Sequence, residues 1–330
     1  MQAVIAQRYG GPDVLALAER PAPEVGPRDV RIAVRAASLN PLDFKIRDGK
    51  VKLVLDVSPP IALGCDVAGV VDQIGSEVTR FAVGDEVYAR LEKNRMGGLA
   101  ELVAADERVV AKKPARASFV EAAAIPLAGL TALQALRESA GLVAGQRVLI
   151  HAGSGGVGSL AIQIGKRLGL HVATTTSGKN AGFVRELGAD EVIDYTKSEP
   201  LPHGLDAVFD TLGGDSELAS LAAVKPGGVV VGVGGMPDAA FAKQWLPAMV
   251  RPALWLMTAK RRRVAKQHGA RFVYLFMRPD GTQLEELARW IDDGTLKPIV
   301  HRTYPVAEFR EAFAELERGR ARGKIVVTIP

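Results

Sequence analysis

Residues Val148 to Gly158 read Val-Leu-Ile-His-Ala-Gly-Ser-Gly-Gly-Val-Gly, and no other stretch of the 330-residue chain restricts its fold so far. A short apolar strand runs into glycines, and the pattern predicts a helix over Ser159–Leu168. Gly153, Gly155 and Gly158 form G-x-G-x-x-G. In that setting glycine makes the tight turn, lets backbone approach a pyrophosphate, and packs helix on strand. The first N–H groups of the helix and the positive end of its dipole then face the anion. Glycine-rich turns alone are common. The strand before and the helix after make this one a dinucleotide signature.

The flanking pattern agrees. Helices are predicted at Glu121–Ala124 and Leu130–Ser139, then a strand at Arg147–His151. Beyond the loop helix come a strand (His171–Thr175), a helix (Lys179–Leu187) and two strands (Glu191–Asp194, Ala207–Asp210). A helix (Asp215–Ala223) and a strand (Gly228–Val233) follow, with Arg271–Phe276 as a sixth strand. This alternation predicts an α/β fold with a doubly wound parallel sheet, its ligand at the carboxyl ends of the strands. The chain up to Ser118 is instead β-rich, with runs at Val30–Ala36, Val67–Ile74 and Glu86–Ala89 and turns at Gly75-Ser76 and Gly84-Asp85. Helices at Thr282–Asp293 and Val306–Glu317 and a strand at Lys324–Ile329 are expected to rejoin that part. The expected organisation is a discontinuous β-rich domain, residues 1–118 and 279–330, with a dinucleotide-binding domain, 119–278, inserted between.

A net charge of +5 is mildly basic. It suits anionic ligands but falls short of a nucleic-acid signature, so no nucleic-acid partner is expected. Cys65 is the one cysteine, which rules out an internal disulfide and a thiolate-rich zinc site and suits a cytoplasmic setting. The opening Met1–Ile5 lacks the pattern of a secretory signal. The apolar window Trp245–Ala259 contains Pro247, Arg251 and Pro252. It is too short and interrupted to cross a bilayer, so no membrane insertion is expected and the window reads as a buried or surface-packed helical segment. The run Lys260–Arg263 reads as a solvated helix face, with a lid or a polyanion contact as the lesser alternative.

After the second strand of the inserted domain comes Thr174-Thr175-Thr176-Ser177-Gly178-Lys179-Asn180. Sites that prefer NAD place Asp or Glu here to hold the ribose 2′-hydroxyl. Hydroxyls and a lysine without a carboxylate suit a 2′-phosphate, which favours NADPH over NADH. The alternative is that Lys179 merely opens a surface helix.

Further stretches complete a recognisable set: Tyr9-Gly10-Gly11-Pro12, Ser38-Leu39-Asn40-Pro41-Leu42-Asp43-Phe44-Lys45, Gly64-Cys65-Asp66-Val67-Ala68-Gly69, Val83-Gly84-Asp85-Glu86-Val87, Gly129-Leu130-Thr131-Ala132, Leu187-Gly188-Ala189-Asp190 and Lys225-Pro226-Gly227-Gly228. In this order the chain resembles the zinc-independent quinone oxidoreductases of the medium-chain dehydrogenase/reductase superfamily along nearly its whole length. It looks most like the NADP-dependent enone (alkenal) reductase branch. Lys45 stands where quinone reductases usually carry tyrosine, and the ending Gly319–Lys324 matches that branch.

The resemblance implies a GroES-like β-rich catalytic domain, a Rossmann domain, NADPH and a homodimer. It places the backbone at Ser154, Gly155, Gly156 and Val157 on the pyrophosphate, and Thr176, Ser177, Lys179 and Tyr195 around the 2′-phosphate. Counting back from Gly188 without a gap puts Asn180, rather than Lys179, at the family's lysine position. Arg322 is a further phosphate candidate, Thr131 at a helix head approaches the nicotinamide, and Lys45 reaches cofactor phosphate or substrate oxygen. Asn40 is a partner for ribose or substrate, although Asn40 before Pro41 also suits a turn. A solvated position is the alternative for Lys45 and Arg47, and Asp43 either orients one of them or caps a helix. His151 reads as a strand-end residue packed under the loop rather than a proton donor.

The superfamily's zinc alcohol dehydrogenases carry cysteine at the position of Asn40 and histidine at that of Cys65. Here Cys65 beside Asp66 offers too few ligands for zinc, which needs about three from the protein, and Cys65 reads as a small buried hydrophobe. The expected chemistry is therefore hydride addition to an activated alkene (enone) or quinone, lipophilic and small, whose own carbonyl accepts the charge. The protein must orient the reactants, exclude water and stabilise an oxyanion. Two readings remain beside it: one-electron quinone reduction, and an NADPH-binding scaffold without turnover.

Overall fold

The computed structural model describes residues Met1–Pro330, which divide into two compact units: Met1–Leu130 with Arg278–Pro330, and Thr131–Met277. The division falls beyond Ser118 because the helix Phe119–Ala123 packs on the strands Asp29–Ser38 and Asp66–Ile74 of the first unit. Ser118 starts that helix with a capping box: its hydroxyl accepts from Glu121 N–H (3.2 Å), and the Glu121 carboxylate accepts from Ser118 N–H (2.9 Å).

The first unit is built on one large sheet, ordered Val300–Pro305, Lys324–Thr328, Asp29–Ser38, Asp66–Ile74, Glu86–Arg90, Val110–Lys112, with Leu102–Asp106 also pairing Asp29–Ser38. Alternation in Asp29–Ser38 buries Val30, Ile32, Val34 and Ala36. Two irregularities in its pairing with Asp66–Ile74 bend the sheet. A smaller sheet joins Leu15–Glu19, Gln2–Ala6 and Ile61–Ala62. The helix Gly281–Asp292, capped by the Asp280 carboxylate on Gln283 N–H (3.0 Å), buries Leu284, Leu287 and Ile291 at helical spacing.

In the second unit six strands run parallel in the order Glu191–Asp194, His171–Thr176, Arg147–Ile150, Leu205–Asp210, Val224–Gly232, Arg271–Tyr274. Numbered along the chain this is 3-2-1-4-5-6, the doubly wound order whose reversal lies beside Arg147–Ile150. Val148, Leu149 and Ile150 are fully buried, as a strand covered on both faces requires. The predicted helix Leu130–Ser139 starts earlier: an α-helix over Pro126–Leu133 passes into a π-helical stretch over Gln134–Ser139. Pro126 suits the first turn, where its missing N–H has no partner to lose. Thr131 therefore sits inside this helix rather than at its head.

Candidate functional site

The strand Arg147–Ile150 delivers the chain to Ala152, which takes a left-handed φ of 53°. That conformation costs a residue with a Cβ about 1–2 kcal/mol, and it turns the backbone sharply upward. Two glycines then answer to packing. A Cβ on Gly153 would lie 2.1 Å from Thr174 Oγ1, and one on Gly158 would lie 2.2 Å from the Ala152 carbonyl oxygen and 2.8 Å from Gly153 Cα. Gly155 differs: a Cβ there meets only Ala152 O, at 3.3 Å. Gly155 caps the helix Gly156–Arg167, whose ladder begins with Ser159 N–H to Gly155 C=O at 2.9 Å. The first-turn N–H groups at Gly156, Val157 and Gly158 lie ahead of that ladder, and form an anion cradle with the helix dipole behind it.

Beside the loop the neighbouring strand ends in hydroxyls. Ser154 Oγ accepts from Thr176 Oγ1 (3.1 Å) and from Asn180 Nδ2 (3.1 Å), and Ser177 Oγ accepts from the same amide (3.4 Å). Thr176 and Asn180 are buried, and Lys179 is exposed on the turn Gly178–Asn180. Tyr195 is 64% exposed on the turn after Glu191–Asp194. The Asp194 carboxylate holds its own turn through Thr196 N–H and Oγ1 (3.0 and 2.7 Å). Hydrogen bonds from Thr196 and the Gly178 backbone hold its pKa below the usual carboxylate range.

Under the loop lies a polar column. His151 Nδ1 meets Thr175 Oγ1 at 3.1 Å and Nε2 meets Ser220 Oγ at 3.0 Å. Ser220 donates to Asp210 Oδ2 (3.1 Å), and Asp210 Oδ1 accepts from Leu212 and Gly213 N–H (both 2.9 Å). Burial holds the His151 pKa below its ordinary value, although Asp210 pulls the other way. His151 is thus a neutral, satisfied residue packed under the loop.

In the first unit Asn40 precedes the helix Pro41–Arg47 and is almost fully buried. Its amide donates to Asp66 Oδ2 (2.9 Å), which also accepts from Ser38 Oγ (3.0 Å), while Asp66 Oδ1 accepts from Leu127 N–H (2.8 Å). Lys324, buried at the head of its strand, donates to Asn40 Oδ1 and to Leu39 O (2.9 Å), and its ammonium lies 3.6 Å from Asp66. Asp43 caps its own helix, accepting from Asn40 N–H (2.7 Å) and Gly64 N–H (3.2 Å), and does not orient Lys45 or Arg47. Burial raises its pKa to about 6. The Cys65 thiol is fully buried 3.7 Å from Asp43 Oδ1, and burial raises its pKa well above the ordinary range. Lys45 is half-buried and forms no ion pair. Arg47 is not solvated: it is 2% exposed and held by Asp48 (2.7 Å) and Glu317 (2.6 Å). Arg322 is exposed, with its N–H on His301 Nδ1 (3.3 Å).

The alcohol dehydrogenase GroES-like domain family matches residues 26–115, and the zinc-binding dehydrogenase family matches residues 187–327. A 2-methylene-furan-3-one reductase of Solanum lycopersicum is 38% identical over 332 residues, covering 97% of this chain and 76% of the relative. An NADPH-dependent alkenal/one oxidoreductase of Arabidopsis thaliana, chloroplastic, is 37% identical over 340 residues (99% and 79%). The chain belongs to the quinone and alkenal/one oxidoreductase family of the medium-chain dehydrogenase/reductase superfamily. It is an NAD(P)H-dependent oxidoreductase. The quinone oxidoreductase of Coxiella burnetii superimposes with a TM-score of 0.84 at 34% identity, covering 100% of this chain and 99% of that one.

Within this oxidoreductase the structure gathers Ser154, Thr176 and Ser177 into one hydroxyl cluster, and adds Asn180, the residue that ungapped counting placed there. Asn40 joins a buried network rather than a simple turn. Lys324 is the residue that sequence reasoning passed over for Arg322. Its signal was present: a lysine heading the run Ile325-Val326-Val327 must find partners if the strand is buried from its first residue. A cleft of about 910 Å³ among Ala248, Pro252, Trp255, Arg262 and Phe272 lies on residues that none of these roles uses.

Proposed function

We propose that this protein is an NADPH-preferring reductase of conjugated enones and quinones that works without zinc. The observation that carries the reading is the glycine loop followed, one strand on, by a cluster of hydroxyls and an amide, beside which the one carboxylate, Asp194, is taken up by Thr196 and the Gly178 backbone. The N–H groups at Gly156 and Val157 fit a pyrophosphate, and Gly155, whose own N–H is held by the Ala152 carbonyl (2.9 Å), leaves room for it. Ser177, Asn180, Lys179 and Tyr195 offer neutral donors and one cation to a 2′-phosphate. The bound nucleotide supplies the hydride. The alkenal/one relative, whose name states NADPH dependence, supports the same choice.

Donor chemistry supports independence from zinc. Where the zinc enzymes carry cysteine and histidine, this chain has the Asn40 amide and a buried Cys65 beside Asp43. A fixed ammonium, Lys324, already sits on Asn40 and near Asp66, and a second cation against it would be repelled. These residues do not fit a zinc ion. Lys45, Asn40 and Thr131 are the residues we assign to orienting substrate and nicotinamide, with Lys45 as the mobile cation for an oxyanion. Arg322 is a further phosphate contact in this reading. The substrate is small and lipophilic.

A homodimer belongs to the proposal: the strand Arg271–Tyr274 is paired on one side only, leaving an edge for a second copy. A cytoplasmic setting suits the single buried cysteine.

The test is oxidation of NADPH against a panel of small enones and quinones, with deuterium on the transferring carbon of the nicotinamide. Label on the β-carbon of a saturated ketone is expected, with NADPH favoured over NADH at least tenfold. No turnover across the panel, or equal use of NADH, refutes the proposal. Lys45→Ala should lower turnover without moving NADPH affinity.

A further inference from the structure

We propose that the helical segment 239–267 is a docking surface for an anionic lipid bilayer, on which the protein lies without sending a span across. Residues 239–267 hold seven Lys and Arg and no Asp or Glu, while the other 35 basic residues face 37 acidic ones. The segment is therefore +7 and the rest of the chain −2, so the mild basicity of the whole protein is entirely local.

Exposed apolar side chains stand beside this charge. Of eleven large apolar side chains exposed along the chain, four fall within 249–257: Met249 (85%), Trp255 (61%), Leu256 (70%) and Met257 (61%). Scattered exposed apolar residues are ordinary, but a contiguous group marks an interaction site. These four lie on the turn and helix Ala248–Met257, directly before the basic helix Ala259–Gln267. The cleft between Pro252, Trp255 and Phe272 opens in the same segment and is roomy enough for part of an acyl chain.

The basic helix divides its cations by role. Arg261 turns inward: it donates to Glu217 (2.9 Å) and Pro237 O (2.9 Å), and its guanidinium lies 3.8 Å from the centre of the Phe272 ring. The expectation of a uniformly solvated run fails at this residue. Arg262 stacks on Trp255 (4.2 Å) and donates to the Trp255 carbonyl, which ties the apolar helix to the basic one. Lys260, Arg263 and Lys266 are exposed and form no ion pair. At three-residue spacing they share one side of the helix.

Exposed Trp and Leu beside unpaired Lys and Arg is the composition of a segment that lies in a bilayer interface, and anionic headgroups supply the opposite charge. No helix here is long and apolar enough to cross a membrane. A nucleic acid would not reward exposed Met and Leu. Two copies facing each other through the helix Ala259–Gln267 would set the exposed Lys260, Arg263 and Lys266 against their own counterparts. An acidic protein would meet the charge but leaves the Met249–Met257 group without a reason to be apolar.

The experiment is flotation of the full chain, with NADPH, on vesicles of phosphatidylcholine alone or with about a third phosphatidylglycerol, at low salt and at about 0.5 M NaCl. We expect flotation with the anionic vesicles at low salt, at least tenfold weaker on neutral vesicles. We also expect a blue shift of tryptophan emission that Trp255→Phe removes. The combined variant Lys260→Glu, Arg263→Glu, Lys266→Glu should lose flotation, and Leu256→Ser should weaken it, each with NADPH-dependent turnover and melting temperature unchanged. Three outcomes overturn the proposal: no flotation of the wild type on anionic vesicles, equal flotation of the triple variant, or a wild-type oligomer that the triple variant dissolves. The last would make the surface a contact between copies.

Discussion

Asp43 gives the most quantitative handle on the buried network. It is fully buried, and its folded pKa is about 6 against an ordinary 3.8, chiefly through desolvation. The folded protein therefore keeps this proton up to about pH 6, whereas the unfolded chain releases it near 4. Between those values the folded state binds more protons, so stability is lost as pH rises. Two pKa units correspond to about 3 kcal/mol of penalty at pH 7, of which about 1 kcal/mol develops between pH 5 and 7. Asp43→Asn has no proton to release and should lack this slope. The absolute stability of the variant will also shift, since an amide satisfies only one of the Asn40 and Gly64 N–H groups as acceptor. The diagnostic is the difference in slope. Urea unfolding, followed by Trp290 in a background with Trp245 and Trp255 replaced by Phe, reports on the unit that holds Asp43. The wild-type midpoint should fall by about 0.3–0.5 M more than the variant's from pH 5 to 7, for a slope of about 2–3 kcal/mol/M. Parallel pH profiles, or a wild-type midpoint that rises more steeply, would refute the reasoning.

Gly158→Ala should cost both folding and cofactor binding, because its Cβ meets backbone at 2.2 Å, whereas Gly155→Ala should melt like wild type and still bind NADPH at least tenfold more weakly; isothermal titration and thermal melts separate the two. Arg261→Ala strands the buried Glu217 carboxylate and should destabilise the second unit by about 3–5 kcal/mol in urea; a loss under about 1 kcal/mol would mean that the pair is dispensable. Lys179→Glu should raise the KM for NADPH at least tenfold while that for NADH moves little, and an equal change for both would return Lys179 to the surface.

The sheet of the second unit was legible because its strands are short, apolar and punctuated by helices, and Asp215–Ala223 was predicted to the residue. The glycine loop was legible because its chemistry is local: turn, strand and helix adjoin in sequence. Lys324 was not, since its partners Asn40 and Asp66 are more than 250 residues away and strand alternation does not announce which charges turn inward. Arg47 and Arg261 failed for the same reason, each held by a carboxylate far along the chain, Glu317 and Glu217. Asp43 left two roles open because a carboxylate three residues into a helix serves capping and side-chain pairing alike.

The strand Lys324–Thr328 lies between Val300–Pro305 and Asp29–Ser38, and this fixes an order of events during synthesis. The ribosome delivers Asp29–Ser38, Asn40 and Asp66 early, but the strand that flanks them and the ammonium that answers Asp66 come last. Thr131–Met277 emerges in between, with every strand of its own sheet contained in one continuous segment. The nucleotide-binding unit can complete itself while the β-rich one waits with an open sheet edge and a carboxylate still without its ammonium. Long-range closure of this kind is slow and exposes edges to aggregation. Nascent chains arrested before Val300 should therefore retain nucleotide and yet depend on chaperones for the rest.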